Sequence, residues 1–117
     1  MSNAEDKSGP QRYDPLEFIR NCIRDGAVFW TYHVNMRLRM RSLNRLEIVQ
    51  AVDTFEIIER YPDDKYMPSY LIYFELGKQP HHAVIATDSG GPNIRIVTVY
   101  KPDAGKWSSD FKRRLST

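Results

Sequence analysis

A chain of 117 residues with one cysteine, Cys22, and a formal net charge of +2 fits one domain that folds around its own core without a disulfide. No run within it approaches the roughly 18 apolar residues of a membrane span, and the opening "MSNAEDKSGPQR" has no apolar leader stretch. The expectation is a cytoplasmic protein with a disordered polar tail over residues 1–13 and a single α+β domain over 14–117.

The elements follow in chain order. Asp14-Pro15-Leu16-Glu17 offers a cap, a proline at the first helical position and an acid in the first turn. Leu16, Ile19, Cys22 and Ile23 recur at helical spacing up to Gly26, which predicts a helix over 15–25. "AVFWTY", residues 27–32, is short, aromatic and β-branched, a brief strand or an extended lead-in.

"YHVNMRLRMRS" is ambiguous. Val34, Met36, Leu38 and Met40 alternate with polar residues as in a strand, yet Arg, Leu and Met are good helix formers. The stretch runs without Gly or Pro into Asn44-Arg45-Leu46-Glu47, a capping-box pattern. Helices are therefore predicted over 33–42 and 45–53, with Val34 and Leu38 buried. His33, Arg37 and Arg41, four residues apart, then line one slowly drifting face, and Arg39 points elsewhere.

Beyond Thr54 four strand-like runs alternate with Gly/Pro turns. They predict strands over 55–61, 69–76, 81–87 and 94–101. The expected fold is α+β, with N-terminal helices packed on one face of a four-stranded antiparallel β-meander.

Charge is clustered. Residues 33–45 hold four Arg and no acid, residues 53–64 are acidic, and Lys112, Arg113 and Arg114 close the chain. A basic cluster is what a polyanion site needs, although clustered Arg is also common on solvated surfaces.

"TYHVNMRLRMRSL", "EIVQAV", "EIIERYP", "QPHHAV" and "RIVTVYKPD", followed by Trp107, resemble a family known only as a domain of unknown function. Its members show a His opening a helix, Arg residues four and eight further on, and a late Y-x-P-D strand before a Trp. The likeness covers about residues 27–114. Such domains are grouped with the RelE-like and colicin-like ribonuclease toxins, the barnase–EndoU–colicin–RelE class. The resemblance implies a RelE-like fold, endoribonuclease activity of a toxin–antitoxin type, RNA (including mRNA on the ribosome) as target and a small antitoxin as partner. The matching positions are His33, Arg37, Arg41, His82, Thr98 and Tyr100. Ser42 stands where a glycine often ends the helix.

Those residue types suit metal-independent RNA cleavage, in which the 2′-hydroxyl attacks the phosphate. Histidine can move protons near neutral pH, and Arg binds phosphate oxygens bidentately. Thr98 and Tyr100 share a strand face and could meet a phosphate or a base. His82 would add a second proton carrier if its strand neighbours theirs. The competing readings are structural. His33 would cap a helix, Arg37 and Arg41 would pair with Glu56, Glu59 or Asp63, and Tyr100 and Trp107 would be packing aromatics. No metal or cofactor is expected: His81 and His82 point to opposite faces of a strand, one Cys makes no cluster, and "DSGGPN" lacks the Lys of a phosphate loop. The alternative function is a catalytically inactive RNA- or protein-binding domain of the same fold.

Overall fold

A computed structural model describes residues 13–116. The predicted tail, residues 1–13, lies outside them except for Tyr13, whose ring packs on Phe18 at 5.9 Å.

Helix α1, Pro15–Asp25, begins where the Asp14 carboxylate accepts from the Leu16 and Glu17 amides. It stops at Gly26, whose φ of 75° is the left-handed conformation that releases the chain. Strand β1, Val28–Trp30, is three residues long. Thr31 then caps α2, Tyr32–Met40. Ser42 follows at a φ of 57°, a left-handed turn of the kind glycine usually makes. Helix α3, Arg45–Gln50, starts on the capping box of Asn44 and Glu47 and gives way to a 3₁₀ turn at Val52–Thr54.

The strands β2 (Glu56–Tyr61), β3 (Ser69–Leu76), β4 (Gln79–Asp88) and β5 (Asn93–Tyr100) form the antiparallel run that was expected. The four-stranded sheet needs correction, because β1 adds a fifth strand. It pairs in parallel with β5, Val28 opposite Ile94 and Trp30 opposite Ile96, in the order β1-β5-β4-β3-β2. Turn chemistry marks hairpins between neighbouring runs. It carries no information on where a three-residue strand sixty residues upstream will pair, and here the Ala27 carbonyl accepts from the Ile94 amide.

The helices share one face of this mixed sheet. Ile19, Ile23, Val34, Leu38, Ile48 and Phe55 meet Ile72, Phe74, Ile85, Ile94 and Ile96 there, all buried. Each such side chain contributes about 1.5–3 kcal/mol by leaving water. Val34 and Leu38 form the buried stripe of α2 as the helical reading required.

The opposite face is covered by residues 101–116. Trp107 is buried, and a backbone bridge joins it to Arg114. Lys112 pairs with Glu56 at 2.8 Å and Arg114 with Glu59 at 2.6 Å. The acids of β2 thus hold the basic C-terminus rather than the arginines of α2.

Candidate functional site

The six sequence candidates fall into two groups on opposite faces of the sheet. His33, Arg37 and Arg41 lie on α2. With Met36 and Met40 they line a shallow groove of about 410 Å³. The Arg37 Nε donates to His33 Nε2 over 3.2 Å. Arginine can only donate, so Nε2 carries the lone pair and the imidazole proton sits on Nδ1. Among the described residues Arg37, Arg39 and Arg41 make no ion pair with a carboxylate. Arg45 is engaged elsewhere: it holds the Asn35 carbonyl at 3.0 and 3.2 Å and lies over the Trp30 ring.

His82, Tyr100 and Thr98 lie on the other face. In the ladder His82 is opposite Tyr100 and Val84 opposite Thr98, so the predicted neighbourhood of these strands is real. Its accessibility is not as expected. His82 is 0% exposed. The Phe111 carbonyl, 2.7 Å away, can only accept, so His82 Nε2 donates to it, and Nδ1 then accepts from the Tyr100 hydroxyl at 3.2 Å. The Trp107 ring stands edge-on 4.5 Å away. Both nitrogens are committed, and His82 fastens the C-terminal segment to the sheet. A single site holding His33, Arg37, Arg41, His82, Thr98 and Tyr100 together is therefore not formed, because strand alternation puts His82 and Tyr100 on the face away from α2.

Alternation also decides which histidine shares the face of α2. His81 packs its ring on Phe74, a core residue of the helix side, at 5.6 Å. It lines a cleft of about 450 Å³ with Leu43, Gln50, Gln79 and Lys101. Sequence reasoning set His81 aside. The adjacency of two histidines says that one faces each way, but only the register says which.

Electrostatics follow burial. Burial lowers the proton affinity of His82, against the Phe111 hydrogen bond that raises it. Burial likewise lowers that of His81, with Lys101 and Arg41 adding to the effect. Burial and the hydrogen bond to Glu75 push Tyr73 up to about 12. The hydrogen bond from Arg114 holds the Glu59 carboxyl below its ordinary range. For a histidine lowered in the fold, the folded state favours the neutral ring. That stability is present above the ordinary value of about 6.5 and is lost as pH falls through the lowered folded values. The urea midpoint is therefore expected to fall between about pH 7 and pH 5, before the carboxylates titrate. A flat midpoint across that window would remove this account of the two buried rings.

Residues 30–101 match the family model described as a domain of unknown function, DUF4258. The chain belongs to that family. No curated protein and no solved structure matches it. No group of three or more His, Cys, Asp or Glu among the described residues could hold a metal ion, and no helix among them is long and apolar enough to cross a membrane.

Proposed function

We propose that this domain acts on RNA as a metal-independent endoribonuclease of the toxin type, related to the RelE-like and colicin-like enzymes, with the outer face of α2 as its substrate surface. The observation that carries the reading is the contact between Arg37 and His33 on an exposed helix face, with Arg41 one turn further on. The guanidinium keeps the imidazole neutral at Nε2 in the free protein. A phosphate arriving between Arg37 and Arg41 competes for the guanidinium and leaves Nε2 free to take the 2′-hydroxyl proton. The two arginines then offset the charge that grows on phosphorus. Tyr32, 79% exposed at the start of α2, is available to stack on a base. A small acidic antitoxin would meet the same basic face.

One observation favours the second reading, an RNA-binding domain without catalysis. In-line cleavage needs an acid for the leaving 5′-oxygen as well as a base, and His82 is sealed beneath the C-terminal segment. Wild-type protein incubated with single-stranded RNA in EDTA separates the two. Fragments ending in 2′,3′-cyclic phosphate, with arrested growth on expression in a bacterium, are expected for the enzyme. Tight, salt-sensitive binding without fragments identifies the binder. Neither binding nor cleavage at low salt removes RNA from the account.

A further inference from the structure

The cleft beside α2 contains a histidine in the condition that a phosphate site requires. The His81 Nδ1 is 3.1 Å from the Gln79 carbonyl. A carbonyl only accepts, so the proton is on Nδ1 and the lone pair on Nε2. That Nε2 makes no hydrogen bond among the described residues, and it is not among the buried atoms left without a partner, so it is open to the cleft. Stacking on Phe74 and the Gln79 contact fix the ring.

The charges around it are unequally committed. Glu47 and Glu75 also line the cleft. Glu47 accepts from the Asn44 amide at 2.9 Å, and Glu75 accepts from the Tyr73 hydroxyl at 2.8 Å. Lys101 lines the cleft, Arg41 stands at the C-terminal end of α2, and both are near enough to oppose protonation of the ring. Among the described residues neither cation has a carboxylate partner. An anion entering the cleft meets two cations and a fixed nitrogen that becomes a donor once it is protonated.

We infer that the cleft bounded by Leu43, Gln50, Gln79, His81 and Lys101 is a phosphate-binding subsite, in which Lys101 and Arg41 hold an RNA phosphate against His81 Nε2. The inference deepens the proposed action on RNA and rests on it for the source of the phosphate. His33 and Arg41 are eight residues apart on α2, about 12 Å along its axis. The cleft would therefore take a phosphate one or two nucleotides from the one at His33, so that the strand crosses from α2 to the end of β5.

The test follows the imidazole signals of the wild-type protein by NMR, titrated separately with inorganic phosphate and with a short single-stranded RNA. The His81 signals are expected to shift and saturate with both, and the ring's proton affinity to rise when the anion binds. The His82 signals are expected to stay in place. Lys101→Ala and Arg41→Ala, both at surface positions, are expected to weaken the response about tenfold each. His81→Gln, with its fold checked by circular dichroism, should weaken RNA binding in the same way. Unmoved His81 signals with both ligands overturn the subsite. If RNA binds and shifts His33 alone, the subsite is overturned while the action on RNA stands. If phosphate shifts His81 but RNA binds nowhere, the cleft stands as a phosphate site and the proposed function fails.

Discussion

Trp107→Ala is expected to lower stability by about 3–5 kcal/mol and to free the C-terminal segment. Trp107 is buried, with its ring against His82 and the Arg114 guanidinium 4.7 Å above it. Removing it leaves a large void between sheet and segment. It also opens the His82–Phe111 hydrogen bond to water, where its net worth falls. The ion pairs from Lys112 and Arg114 cannot compensate, because exposed pairs contribute about 0–1 kcal/mol each. Two measurements check this. Urea unfolding gives the stability loss. Hydrogen exchange should accelerate at the amides of Ser108, Phe111 and Leu115, whose backbone bonds lie within the segment. Lys112→Ala is the comparison and should cost less than about 1 kcal/mol. If Trp107→Ala costs no more than Lys112→Ala, the segment is not anchored by its tryptophan.

If wild-type protein cleaves RNA, His33→Ala should reduce the rate on the order of a hundredfold or more, since it removes the proton-transfer group. Arg37→Ala should have a similar effect for two reasons. It deletes a cation at the phosphate, and it breaks the contact that presents His33 Nε2 with its lone pair outward. Arg39→Ala serves as the internal control. It removes the same charge from the same helix, but Arg39 is not in the groove lined by His33, Arg37 and Arg41. Equal losses from all three substitutions would point to nonspecific charge attraction. No loss from any of them would take the chemistry away from α2. His33→Ala should leave RNA binding within a few-fold of wild type, because it is the arginines that bind phosphate.

Local chemistry determined much of this protein. The Asp14 cap, the Gly26 stop, the Asn44–Glu47 capping box and the buried pair Val34 and Leu38 act within a few residues, and each appears where the sequence places it. The ambiguity of residues 32–42 was also decided locally, since the segment leads into a capped helix with no turn signal between. The four antiparallel strands were legible from their Gly/Pro punctuation, apart from their exact ends. Gln79 and Pro80 extend β4 beyond the predicted start at residue 81.

Tertiary structure decided the rest. A three-residue strand has no preferred partner until the sheet exists, so the parallel seat of β1 against β5 came only with the fold. The same holds for His81 and His82. Period-two alternation guarantees that their side chains diverge. Which ring turns toward α2 and which is buried under Trp107 depends on the register of β4 against β3 and β5, and a shift of one residue would exchange them. The acids of β2 and the bases at the C-terminus are more than fifty residues apart. Their pairing is set by the path of residues 101–116 over the sheet, which no local pattern encodes.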